Sequence, residues 1–124
     1  MKTSDFRQLR VWQQAMDIVV DTYAIIKTLP IEERFSLCDQ MRRSSVSIPS
    51  NIAEGQSRNS SKEFIHFLSI SRGSIAELQT QLILCVRLGY IEDEIVTGLL
   101  SRLKDNDKMI GGLMKAISMN NTFD

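Results

Sequence analysis

The side chains able to do chemistry are few and scattered in this 124-residue chain. Glu63 and His66 form a Glu-x-x-His pair, the spacing with which di-metal helix bundles set two ligands on one helix face. Such a centre needs two of these pairs, and His66 is the sole histidine. His66 also stands off the apolar seam of its helix, so a surface or interface histidine is the preferred reading and no metal site is expected. Serine, cysteine and acidic residues are present, yet without a histidine placed as base they form no nucleophilic triad. No glycine-rich phosphate loop surrounds Gly111 and Gly112. The expectation is a protein without catalytic residues and without a cofactor.

Cationic side chains offer the other chemistry. Arg42 and Arg43, with Arg58, Lys62 and Arg72 brought close by an antiparallel fold-back, make a candidate nucleic-acid or partner-binding cluster through phosphate contacts. Ion pairing competes with that reading: folding back about Arg58 sets Arg42 near Glu77, and Glu54 lies one helical turn before Arg58. Lysine plus arginine and aspartate plus glutamate each number 15, so the formal net charge is zero. Bulk charge therefore lends nucleic-acid binding no support. Met1 to Arg10 alternates charged and apolar residues, unlike a secretory signal, and no apolar run is long enough to span a bilayer. These features set the expectation of a cytoplasmic protein with no membrane partner, in which Cys38 and Cys85 stay reduced and unpaired.

The elements that must hold these residues are helical. A hydrophobic fraction of 43% with only two prolines and six glycines suits one continuous core and few turns. One domain over residues 1–124 is expected, all-α, an antiparallel up-down-up-down four-helix bundle with helices at about 9–29, 33–55, 61–88 and 92–117. In the first helix Trp12, Met16, Val19, Tyr23 and Ile26 recur at steps of four and three, the spacing of a core-facing seam. Val11, Val20 and Ile25 lie beyond that seam and predict an extra, intermolecular face. The second helix reads Cys38, Met41, Ser45, Ile48 and Ile52 in phase across Pro49, which predicts a helix that continues through the proline with a kink. An interior proline costs about 3 kcal/mol or more, so a serine hydroxyl, an ordered water or a neighbouring helix must re-satisfy the Ser45 carbonyl.

Ser60 followed three residues later by Glu63 has the form of a capping box that opens the third helix. Phe64, Leu68, Ser71, Ile75, Leu78, Leu82 and Cys85 form its seam, with Phe67 and Ile70 beside it, and Gly89 closes it. The fourth seam reads Val96, Leu99, Leu103, Asn106, Ile110, Leu113 and Ile117, with Asn106 as the polar residue that fixes register. Fraying is expected near Gly111 and Gly112, and a loose tail from Ser118 to Asp124. The fold-back places Ser44 and Ser45 opposite Ser71, Gly73 and Ser74, and puts Cys38 near Leu78, about 11 Å from Cys85.

LRVWQQA in the first helix, QMRRSSVSIPSNIAEGQSRNSSKEF through the second, FLSISRGSIAELQTQL in the third and LGYI before the fourth carry a resemblance over nearly the whole chain. They resemble the four-helix bundle proteins encoded in intervening sequences of bacterial 23S rRNA genes, which are similar to the accessory variability proteins of diversity-generating retroelements. SIPSNIAEG is the most specific part, being too irregular to arise from helix periodicity. The resemblance implies a homopentamer, a non-catalytic assembly protein that binds RNA, DNA or a ribonucleoprotein partner. A purely structural or protein-binding oligomer without nucleic-acid contact is the alternative. The chain departs from the family at Ser44 and Ser45, where alanines are common, and at Phe35-Ser36-Leu37, where Tyr-Gly-Leu is common. Its neutral charge departs from the basic character of the accessory proteins.

Overall fold

Four α-helices follow one another in the computed structural model, which describes residues 5–120: α1 (Arg10–Ile26), α2 (Leu37–Gln56), α3 (Ser61–Arg87) and α4 (Asp93–Asn120). Each packs on the next, and α4 returns to α1, the closed antiparallel order that short connections impose. Single 3-10 turns precede α1 (Phe6–Gln8) and α2 (Ile31–Glu33). The four-helix, all-α architecture expected from the seams is the one observed.

Three seams face the core as their spacing dictates. Cys38, Met41, Ser45, Ile48 and Ile52 of α2 are buried, as are all seven seam residues of α3, and in α4 only Leu113 is less than fully buried. α2 runs unbroken through Pro49. Ser60 accepts a hydrogen bond from the Glu63 backbone N–H at 3.3 Å and so caps α3. At the other end Gly89 takes φ +79, the Gly89 N–H donates to Val86 and the Tyr90 N–H to Cys85, a Schellman closure.

Helix α1 is rotated from the expected seam. Its buried face is Val11, Ala15, Ile18, Thr22, Ile25 and Ile26; Met16 and Tyr23 are exposed, while Trp12 and Val19 are only half-buried. Two neighbouring stripes of α1 are equally apolar, and the true one is disguised by Thr22. That residue sits in the core at no cost because its hydroxyl donates to the Ile18 carbonyl at 2.7 Å. Val11 and Ile25, expected to face outward, belong to the core.

Helix limits differ in places for local reasons. α2 starts at Leu37 and not near Glu33, because Glu33 itself does the capping: its carboxylate accepts from the Ser36 hydroxyl at 2.7 Å and the Leu37 N–H at 3.4 Å. α4 continues as helix through Gly111 and Gly112, where fraying was expected, to Asn120. Residues 118–120 of the supposed loose tail are helical, and residues 121–124 lie outside the described residues.

The register between α2 and α3 is set at their turn. A Cβ on Gly55 would come within 2.9 Å of both Phe64 and Phe67, so glycine lets α3 close directly onto the end of α2. Pairing is thereby displaced from a simple fold-back about Arg58. Ser44 meets Gln81 at 2.7 Å, Ser47 meets Ser74 at 2.8 Å, and the Ser71 hydroxyl donates to the Ile48 carbonyl at 2.9 Å. The expected opposition of Ser44 and Ser45 to Ser71, Gly73 and Ser74 is shifted by one to two turns. Cys38 and Cys85 are both free and buried. The expected placement of Cys38 opposite Leu78 is shifted like the serines, since Cys85 Sγ lies 3.7 Å from Met41 Sδ, one turn from Cys38. Burial pushes both thiols up, Cys85 to about 11, so neither is a reactive thiolate near neutrality.

Candidate functional site

The five cationic residues singled out by the sequence occupy three different places. Arg42 and Arg43 sit in the first half of α2, where Arg42 is half-buried and Arg43 Nε pairs with Asp39 at 3.3 Å. Arg43, not Arg42, shares a groove with Glu77, together with Gln40, Ser44, Ser47 and Gln81. Arg58 and Lys62 lie at the α2–α3 turn, roughly 20 Å away along the axis. There Arg58 contacts Glu54 at 2.6 Å and Glu63 at 3.7 Å, and its guanidinium covers the Phe67 ring at 5.0 Å. Lys62 is exposed.

Arg72 turns the other way, toward α4. Its Nε and Nη2 reach both carboxylate oxygens of Asp107, at 2.8 and 3.1 Å, and this pairing holds the Arg72 pKa above its ordinary value. Gly111 makes room for it: a Cβ there would stand 2.9 Å from Nη1. Arg72 is therefore a strut between helices. The ion-pair reading of Arg58 with Glu54 holds, and pairing also engages Arg43 and Arg72.

Glu63 takes part in the Arg58 ion pair, and His66 is exposed with its ring edge-on to Phe67 at 5.4 Å. Neither has a partner ligand, since no group of three histidine, cysteine, aspartate or glutamate side chains able to hold a metal occurs among the described residues. Nor is any helix in the described residues long and apolar enough to cross a membrane.

Another open surface is apolar. Rotation of α1 leaves Trp12, Met16 and Val19 lining an open groove with Val46, Pro49 and Ala53 of α2. The groove continues up α1 past Val20, Tyr23 and Ala24. Val20 is 66% exposed, unusual for a β-branched apolar residue in a well-packed bundle. Pro49, inside α2, also lines this groove.

Sequence reasoning missed two polar links. Tyr90 Oη donates to Glu33 Oε2 at 2.6 Å, tying the α1–α2 connection to the α3–α4 connection. The bond lowers the pKa of Glu33 and raises that of Tyr90, each through the hydrogen bond first. Asn106, flagged as a register residue, donates to the Val11 carbonyl at 3.1 Å and to Gln14 Oε1 at 3.3 Å, while its own Oδ1 is buried without a partner. No periodic signal announces either pair, because the partners are far apart in sequence.

The fold and its surfaces define a class: an antiparallel four-helix bundle with an uncovered apolar face. A family model for the 23S rRNA-intervening sequence protein matches residues 7–112, and the chain belongs to that family. Comparison with curated proteins finds no match. Among solved structures, it is similar to a protein of unknown function from the S23 ribosomal protein family of Bacteroides thetaiotaomicron. The two are 26% identical with a TM-score of 0.79, covering 85% of this chain and 98% of the other.

Proposed function

We propose that the chain is a non-catalytic subunit of a homo-oligomeric assembly in the cytoplasm, a ring of five as the family resemblance implies, which presents a repeated surface to RNA, DNA or a ribonucleoprotein. The observation that carries the reading is the uncovered stripe of Met16, Val19, Val20 and Tyr23 over Val46 and Pro49. Such a stripe is stable in water when a neighbouring subunit covers it. In a closed ring each subunit uses two different surfaces, so cations such as Arg42, Arg43, Arg58 and Lys62 recur around the axis and act together on a polyanion. The two buried, free thiols fit a reducing compartment.

A second reading is favoured by the ion pairs of Arg43, Arg58 and Arg72, which leave less cationic charge for phosphate: a purely structural or protein-binding oligomer. Light scattering tests assembly, with a multiple of 14.1 kDa expected. A Val20→Glu variant should fall to the monomer mass, and a wild-type monomer at micromolar concentration would overturn the assembly. Retention of single-stranded RNA that weakens steeply with salt separates the two readings. Absence of retention at low salt selects the second.

A further inference from the structure

The neutral net charge conceals an axial asymmetry. At the end where the α1–α2 and α3–α4 connections meet, residues 27–39 and 87–94 carry six carboxylates against three cations. At the opposite end, residues 5–10, 54–63 and 108–120 carry three carboxylates against six cations. One end is acidic, the other basic.

The acidic end is also the one with exposed apolar bulk. Phe35 is 85% exposed and Ile31 74%, both flanking Glu33, and Leu84 and Leu88 are exposed along the last turns of α3. Leu84 and Leu88 stand four residues apart and so share a helix face. They follow Gln81, which reaches α2 through Ser44, so this face lies on the α2 flank of α3. Phe35, just ahead of α2, stands at the same end. The Tyr90–Glu33 hydrogen bond crosses between the two connections and fixes them relative to each other. A surface held in this way loses little conformational entropy on binding.

We propose that this end docks a protein segment in which an apolar or aromatic anchor is flanked by lysines or arginines. The anchor seats among Phe35, Leu88 and Leu84, and the cations meet the acidic rim of Glu32, Glu92, Asp93 and Glu94. The net charge of this end, six carboxylates against Lys27, Arg34 and Arg87, disfavours a phosphate backbone or an anionic lipid surface, and the anchor takes the place of the Arg34 guanidinium that covers the Phe35 ring at 5.4 Å. A second copy offers the complementary charge at its basic end, but among the described residues only Met119 is a large exposed apolar side chain there. Such a copy supplies the cations without the anchor. Leu84 and Leu88 stand at the end of α3 and do not line the α1 groove, which reaches Lys27 at this end, so substitutions on the two surfaces can be tested separately.

The probe is a short fluorescein-labelled peptide of alternating tryptophan and lysine, compared with the same peptide carrying glutamate for lysine, by anisotropy on the full chain. The lysine peptide should bind at least about tenfold more tightly, and Phe35→Ser with Leu88→Ser should weaken it about tenfold. Val20→Glu should leave it unchanged while dissociating the ring. Equal binding of the two peptides, no binding, or the same loss in Val20→Glu would overturn the proposal. So would a drop in the mass of the peptide-free protein on Phe35→Ser, which would make this end an interface between copies.

Discussion

The two sides of α2 pack by opposite means. Toward α3 the contact is close and stitched by polar side chains: Ser44 to Gln81, Ser47 to Ser74 and Ser71 to the Ile48 carbonyl, with Gly55 letting two phenylalanines onto the helix. Toward the outside, Val46, Pro49 and Ala53 meet Trp12, Met16 and Val19 in an open apolar groove, and none of these six side chains carries a group that could bond across it except the Trp12 indole N–H. A buried polar seam is directional and fixes register, because a slip strands every donor and acceptor. An apolar groove has no such memory of direction. The first kind of surface suits the inside of a fold, and the second suits a partner that arrives later.

Substitutions on the two sides of α2 should separate them most strongly. Ile48→Ala, fully buried beside Pro49, should cost about 2–5 kcal/mol. Val46→Ala, two residues away on the groove side, should stay within about 0.5 kcal/mol when the monomer is measured. Urea denaturation of the two variants checks this, and equal losses would erase the distinction.

Gly55→Ala tests whether the turn sets the register. Phe64 and Phe67 would have to move, at about 1–3 kcal/mol, and their ring resonances should shift while those of Trp12 do not. A neutral substitution would show that α3 is placed by its seam and not by the glycine.

Ser44→Ala leaves Gln81 Oε1 buried without its donor, at about 1–3 kcal/mol. The double change Ser44→Ala with Gln81→Leu should recover part of the loss, since an apolar pair has nothing to satisfy. A double-mutant cycle with no coupling would show the stitch to be incidental.

The smallest effect is expected at the acidic end and depends on pH. Glu33 is held below its ordinary pKa by Tyr90, so its contribution is present above the unfolded carboxylate value and disappears as pH falls through the folded value. Tyr90 is held above its ordinary value by the same bond, so its part is complete below the unfolded tyrosine value and is lost as pH rises through the folded one. In Tyr90→Phe the Glu33 side-chain carbon should titrate higher by NMR, with little change in melting at neutral pH. An unmoved Glu33 titration would mean the bond does not form in solution.

The sequence by itself determined the number of helices, the seams of α2, α3 and α4, the helix through Pro49, the Ser60 cap and the Gly89 closure. Each is a local matter: periodicity, a cap three residues from its partner, or a residue free to take positive φ. The SIPSNIAEG run also carried the family. Tertiary structure alone decided which of two apolar stripes of α1 faces inward, because periodicity gives a phase only when one stripe is more apolar than its neighbour. It decided the α2–α3 register through Gly55, sent Arg72 to Asp107, and added Glu63 to the Arg58–Glu54 pair that the one-turn spacing predicted. Long cationic side chains reach several partners from one backbone position, so their partners beyond the neighbouring turn follow from packing and not from spacing.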